Sequence, residues 1–180
     1  MKRVLVVDDS TLWRKFVSDI AEGEGLEVET AVDGLEGYKK AFEFAPDVIF
    51  LDVEMPGMRG YTLCRLLRNE EAFRDAGIVI MTSLDETLNR FWALKAGASG
   101  FVQKGLNAEV MMKEIKKHLQ KNYHSKPELI DPSKAYRFDE INNILEDAIL
   151  RETIRSEIYS LYRYISDDEH VFWKISDFLF

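Results

Sequence analysis

The sequence predicts a doubly wound α/β fold, five parallel strands in the order 2-1-3-4-5, followed by a C-terminal α-helical extension. Two observations predict it, and a third, independent of them, agrees. Short apolar runs rich in Val and Ile, such as Val4-Leu5-Val6-Val7 and Val48-Ile49-Phe50-Leu51, have the length and composition of strands buried on both faces. These runs alternate with segments of helical periodicity, which implies a parallel sheet covered by helices on both sides. Carboxylates end two of the runs, Asp8-Asp9 and Asp52, where such sheets place their ligand crevice.

The elements follow in chain order. Arg3–Val7 reads as strand one. Ser10 can cap a helix carrying Leu12, Phe16, Val17 and Ile20 on one side and ending near Gly23 and Gly25. Leu26–Ala31 alternates apolar residues with two glutamates, as an edge strand would. Asp33-Gly34 opens a helix with Leu35, Tyr38, Ala41 and Phe42 at apolar positions, and Pro46 bars its continuation before strand three, Asp47–Leu51. Met55-Pro56-Gly57-Met58 is turn chemistry, and Tyr61–Leu67 has helical spacing. Gly77–Met81 is strand four. Ser83-Leu84-Asp85-Glu86 fits a capping box, opening a helix that runs towards Lys95. Gly97-Ala98-Ser99-Gly100 breaks that helix, and Phe101-Val102-Gln103 is strand five. Asn107 can cap a last helix with Val110, Met111, Ile115, His118 and Leu119 on its apolar side.

Composition sets the outer limits. The 180 residues are 46% hydrophobic and 31% charged, which suits a folded protein of one full domain plus an appendage. Net charge is −8, making duplex DNA a poor partner. Cys64 is the single cysteine, so no internal disulfide forms and a reducing compartment follows most simply; its setting is that of a small apolar side chain. The N-terminus has no signal-peptide pattern and no run reaches membrane-spanning length, so the expected location is cytoplasmic, with no membrane partner.

In the order 2-1-3-4-5, strands one and three are neighbours at the switch point, and Asp8, Asp9 and Asp52 crowd one edge. Like charges that close repel unless a cation compensates, and Mg²⁺ suits hard oxygen ligands. Strand four ends in Met81-Thr82-Ser83 and strand five in Gln103-Lys104, adding a hydroxyl and an ammonium. A nucleophilic carboxylate, a metal, a lysine and a hydroxyl donor together make a phosphoryl-transfer site. Asp52, alone after its strand, is the expected acceptor, while the paired aspartates suit the metal. Singly, each residue has a plainer reading: strand-end aspartates and Thr82 or Ser83 as helix caps, Lys104 as a solvated surface charge.

The set Val7-Asp8-Asp9-Ser10, Leu51-Asp52-Val53-Glu54-Met55-Pro56-Gly57-Met58-Arg59-Gly60, Met81-Thr82-Ser83, Lys95-Ala96-Gly97-Ala98 and Phe101-Val102-Gln103-Lys104 resembles response-regulator receiver domains of two-component signalling, over about residues 1–122. The resemblance implies a flavodoxin-like fold and a phosphoryl group accepted on Asp52 from a histidine kinase or phosphotransfer protein. It implies Mg²⁺ held by Asp9 and Asp52, with Asp8 assisting and the backbone carbonyl of Glu54 as a further ligand. It also implies that Thr82 and Lys104 meet the phosphoryl group, and that Phe101 is the aromatic switch position. Glu54 and Leu84 occupy positions that tune hydrolysis of the phosphate in this family. Receivers commonly have proline after the lysine with a cis peptide before it; here Gly105 follows, and a trans bond is expected, since a cis bond without proline costs about 3 kcal/mol.

Residues 123–132, within the polar run Lys121–Pro132, read as a linker, and residues 133–180 as a helical extension. Phe138, Ile141, Ile144, Leu145, Ala148 and Ile149 mark one helical face; Ile154, Ile158, Leu161 and Ile165 mark another. Ser166-Asp167-Asp168-Glu169 is a capping box opening a helix with Val171, Phe172, Ile175, Phe178 and Leu179. These forty-eight residues carry six basic and ten acidic side chains and lack the basic face of a DNA-binding output domain. The extension is expected to pack on the receiver, on a second copy or on a downstream protein. His118 and His124 fall near a helix C-terminus, where imidazolium is mildly favoured. His170 lacks the surroundings of a phosphotransfer histidine.

The expected function is therefore a response regulator whose phosphorylation switches protein–protein interaction or oligomerisation through its C-terminal helices, with at most slow self-dephosphorylation. Two rivals stand beside it: a phosphorylation-independent adaptor, supported by Lys104-Gly105, and a metal-dependent phosphatase with Glu54 as its second acid.

Overall fold

The computed structural model describes residues 1–83, 92–105 and 108–130. The chain divides into two units, Met1–Arg137 and Phe138–Phe180, and the second lies outside the described residues, as do the expected helices of the extension. In the first unit, five parallel strands form one sheet: β1 (Arg3–Val7), β2 (Glu27–Ala31), β3 (Val48–Asp52), β4 (Gly77–Thr82) and β5 (Gly100–Gln103), in the order β2-β1-β3-β4-β5. The expected strand order and fold class are thus found. Helices α1 (Thr11–Gly23), α2 (Gly34–Phe44), α3 (Gly60–Asn69), α4 (described only at residues 92–95) and α5 (Ala108–Leu119) connect or follow them.

The strand period of two separates the buried residues into two layers. Val4, Val6, Val48, Phe50, Val79, Met81 and Val102 face α1 and α5, meeting Val17, Ile20, Ala21, Met111, Ile115 and Leu119 in one cluster. The alternate positions are equally buried and are covered by α2 and α3; a Cβ on Gly37 would sit 2.8 Å from Val7 and 3.1 Å from Leu63, so glycine lets α2 approach the sheet closely. Tyr38, Phe42 and Phe73 form an aromatic row there, with ring centroids 4.9 Å and 5.2 Å apart. Met55, Met58 and Met81 are buried packing residues, as is Cys64, whose thiol donates to the Ala96 carbonyl at 3.2 Å and is pushed up to about 11 by burial.

Several local expectations shift. Asp33 caps α2 through its side chain, accepting the Glu36 N–H at 2.8 Å, but Ser10 stands at the N-cap of α1 without a side-chain cap bond. The stripe on α1 is centred on Trp13: Leu12 is 71% exposed, while Trp13 and Phe16 pack on the core. At about 100° per residue, Leu12 lies about 140° from Val17 and Trp13 only about 40° from it. On α5, Val110 is exposed, whereas Met111, Ile115, His118 and Leu119 are buried. The helix starts expected at Ser83–Glu86 and Asn107 involve residues 84–86 and 107, outside the described residues.

Residues 121–130, polar and largely irregular, pack against the amino edge of the sheet. Ser125 is buried, donating its hydroxyl to the Ala45 carbonyl at 2.8 Å; Lys126 N–H bonds the Ala72 carbonyl at 2.8 Å, and its ammonium pairs with Asp75 at 3.0 Å. The Tyr123 ring lies where a Cβ on Gly77 would be, 2.3 Å away, so only glycine there admits it. Prolines and polar residues signal the lack of regular structure, which is compatible with docking. Among the described residues no helix is long and apolar enough to cross a membrane.

Candidate functional site

Register alone brings four strand ends together. Val7 pairs with Leu51, Asp52 with Met81, and Thr82 with Gln103, so Asp8, Asp52, Thr82 and Lys104 emerge along the carboxyl edge. All four are buried, while Asp9 is exposed. Carboxylate oxygens of Asp8, Asp9 and Asp52 lie within 4.8 Å of one another. The Lys104 ammonium enters this group from β5, 2.6 Å from Asp8 Oδ2 and 2.7 Å from Asp52 Oδ1. Its backbone N–H bonds the Thr82 carbonyl at 2.8 Å, fixing where the side chain departs.

Local chemistry holds the acidic turn in shape. Asp8 Oδ1 accepts the Ser10 N–H at 2.9 Å, an Asx-type contact that turns the chain into α1. Arg14 reaches back from the first turn of α1 and donates to the carbonyls of Asp8 and Asp9 at 2.7 Å and 2.9 Å. On the β3 side, the Gly60 N–H bonds the Val53 carbonyl at 3.1 Å, and a Cβ on Gly60 would lie 2.0 Å from the Asp52 carbonyl oxygen. Only glycine permits α3 to start against the backbone of Asp52.

Electrostatics favours a cation here. Burial pushes the Asp52 carboxyl up to about 6 and the Asp8 charge adds to that; the Lys104 ammonium and the Val53 N–H oppose it. Three carboxylates face one ammonium, which leaves about two negative charges to compensate. Asp8 Oδ2, although close to Lys104, is buried without a well-directed hydrogen bond. Hard oxygen donors, excess negative charge and an under-satisfied carboxylate oxygen suit Mg²⁺, with Asp8, Asp9 and Asp52 as the residues able to hold it.

The remaining expected residues lie as follows. Phe101 is half-buried on β5, paired in register with Ile80, and borders a cleft of about 260 Å³ together with Leu94, Lys117 and His118. The Glu54 side chain is exposed in the loop after β3 and is not one of the clustered carboxylates. Leu84 lies outside the described residues. No cis peptide occurs among the described residues, so Lys104-Gly105 is trans, and Gly105 has φ +83, which glycine tolerates. His118 departs from expectation. It is buried against β5, where a Cβ on Gly100 would lie 2.0 Å from its ring, and burial lowers it to about 4, with Lys121 adding to the effect. Its imidazole is neutral at pH 7 despite its place near the end of α5.

Residues 4–116 match the family model for the response regulator receiver domain. The chain belongs to this family. Receivers bind Mg²⁺ at an acidic pocket of the kind formed here by Asp8, Asp9 and Asp52. The response regulator PleD of Caulobacter vibrioides is 36% identical over 114 residues, covering 63% of this chain and 25% of PleD. RpaA of Synechocystis sp., a DNA-binding dual master transcriptional regulator, is 31% identical over 121 residues, covering 67% of this chain and 50% of RpaA. The matched receiver region thus spans half or less of these relatives. The solved structure of the chemotaxis response regulator CheY4 of Vibrio cholerae is 34% identical with a TM-score of 0.61, covering 66% of this chain and 98% of that one.

Three residues around the receiver site had no role in the sequence reading: Trp13, Arg14 and Gly60. Lys104 Nζ lies 5.7 Å from the centroid of the Trp13 ring. Apolar periodicity phased on Trp13 rather than Leu12 would have put that ring on the inward face. Gly60 closes the Leu51–Gly60 motif, but its packing role depends on how closely α3 approaches β3.

Proposed function

We propose that this receiver accepts a phosphoryl group on Asp52 from a histidine kinase or phosphotransfer protein and switches a protein–protein interaction in response. The observation that carries the reading is the convergence of Asp8, Asp9, Asp52 and Lys104 from separate strand ends. An Asp52 carboxylate oxygen attacks the phosphorus of a phosphohistidine. A P–O bond forms, the P–N bond breaks, and the departing imidazole keeps the electron pair and takes a proton from solvent. Bound Mg²⁺ supplies charge neutralisation at the phosphoryl oxygens. Asp9 and Asp52 would hold it, with Asp8 assisting and the Glu54 backbone carbonyl as a further ligand. Lys104 moves from the Asp52 carboxylate to a phosphoryl oxygen, and Thr82 donates its hydroxyl to another.

Thr82 and Phe101 then shift together, and the face built from α4, β5 and α5 changes its affinity for a partner. This is a population shift that phosphate biases towards one state. The acidic C-terminal segment, residues 133–180, reads the change as a dimerisation or docking element in the cytoplasm, without a DNA-binding output. The chain acts as a switch, with at most slow self-dephosphorylation. Light scattering of the full chain with Mg²⁺, with and without beryllofluoride, tests it. The expected result is a change in mass or hydrodynamic size, or in capture of the kinase's pathway partner, that Asp52→Ala abolishes. A response identical in the presence and absence of the phosphate mimic would instead establish a constitutive adaptor.

A further inference from the structure

We propose that Trp13 is a positioning residue for Lys104, a role that rests on the phosphoacceptor reading of Asp52. The Lys104 ammonium lies 5.7 Å from the centroid of the Trp13 ring, within cation–π range, in addition to its two carboxylate contacts at 2.6 Å and 2.7 Å. Lys104 is buried, so the attraction acts where water screens it little. The ring itself is well held. Trp13 packs on the core cluster, and Phe16, one turn on along α1, meets it edge-on with centroids 6.0 Å apart and planes at 89°. The next residue, Arg14, ties the same turn of α1 to the carbonyls of Asp8 and Asp9.

Gly105 follows Lys104 with φ +83, and among the described residues a Cβ there would meet nothing within 4 Å. The side chain is therefore oriented by β5 behind it, the carboxylates ahead of it and the indole face. Phosphorylation changes the second of these: the ammonium must leave Asp52 Oδ1 and follow a phosphoryl oxygen. An aromatic face suits that movement, because its attraction is broad and has no single hydrogen-bond direction to break. Trp13 thus keeps the ammonium partly dehydrated and near the reacting group while its oxygen partner changes.

The test uses the full chain with Mg²⁺ and acetyl phosphate, reading the initial rate of phosphorylated species by intact mass. Trp13→Leu is expected to slow phosphorylation about 3- to 30-fold, while Trp13→Tyr and Trp13→Phe, which keep a ring, recover most of the rate. Thermal unfolding of each variant measures the packing loss separately. The charge dependence is read by repeating Trp13→Leu in a Lys104→Met background, using the rate and Mg²⁺-dependent beryllofluoride affinity. There it is expected to change either by less than about twofold. Equal losses in both backgrounds, equal rates for the Leu and Phe variants, or a Leu variant as fast as the parent would overturn the proposal. If the unaltered chain takes no phosphoryl group, the acceptor reading fails as well. If it does, and Asp52→Ala abolishes the signal, only the role of Trp13 is at stake.

Discussion

Replacing Gly60 by alanine tests how rigidly the receiver frame holds Asp52. The added Cβ would lie 2.0 Å from the Asp52 carbonyl oxygen, 2.9 Å from its carbon and 3.1 Å from the Val53 Cα. A relaxed contact needs the oxygen more than 3.0 Å away, so the start of α3 and the end of β3 must part by about 1 Å. Every atom met is backbone, and Asp52 is paired with Met81 at the end of a strand that lies between β1 and β4, so no side-chain rotation can absorb the strain. Overpacking of this kind costs about 1–3 kcal/mol, and stretching the 3.1 Å Gly60 N–H bond to Val53 adds about 1 kcal/mol. Urea unfolding followed by circular dichroism should then show a midpoint lower by about 1–2 M. Gly23→Ala is the control: its Cβ would meet nothing within 4 Å at the end of α1, and its midpoint should be unchanged or slightly higher. An unchanged midpoint for Gly60→Ala, or a drop equal to that of the control, would refute the close approach.

Other expectations follow from the same structure. His118 is lowered from 6.5 to about 4 by burial, with Lys121 and Lys117 assisting and Glu114 opposing. The unfolded chain therefore takes a proton that the folded chain refuses, and stability present above pH 6.5 is lost as pH falls towards 4, by about 3 kcal/mol in all. Comparing the pH dependence of unfolding in the parent and in His118→Gln should remove that part of the slope; an NMR titration placing His118 near 6.5 would contradict it. Mg²⁺ should raise the thermal midpoint and chelation reverse it, by about 2.7 kcal/mol at a hundredfold excess over its Kd, and Asp9→Asn should blunt the effect without unfolding the chain, since Asp9 is exposed. Asp33→Ala removes the side-chain cap of α2 and should cost about 1 kcal/mol by denaturant titration.

How much of this was legible in the sequence depends on the range over which each feature is encoded. Asp8, Asp52, Thr82 and Lys104 could be placed on one edge because each ends an apolar run, and parallel pairing converts strand ends into neighbours. The contact between Lys104 and both carboxylates needs only that register and a long side chain. Trp13 was missed because Leu12, equally apolar, started the stripe one residue early, and a phase error of about 100° turns a residue out of the core. His118 was misread because its setting is tertiary: Gly100 on β5 leaves the hollow that takes the ring, and a helix-end argument weighs the dipole without that burial. Residues 121–130 look like a linker by composition, yet Tyr123, Ser125 and Lys126 find partners on β4, the turn after α2 and the segment around Ala72. Irregular backbone that docks leaves no periodic trace in the sequence.

The account stands on Asp52 as the atom-level acceptor, and one measurement tests that most directly. The full chain is incubated with acetyl phosphate and Mg²⁺, any acyl phosphate is reduced with borohydride, and the peptides are mapped by mass spectrometry. Label on Asp52 alone, absent when Mg²⁺ is chelated, is the predicted result. Label on another residue, or undiminished label in Asp52→Ala, would contradict it.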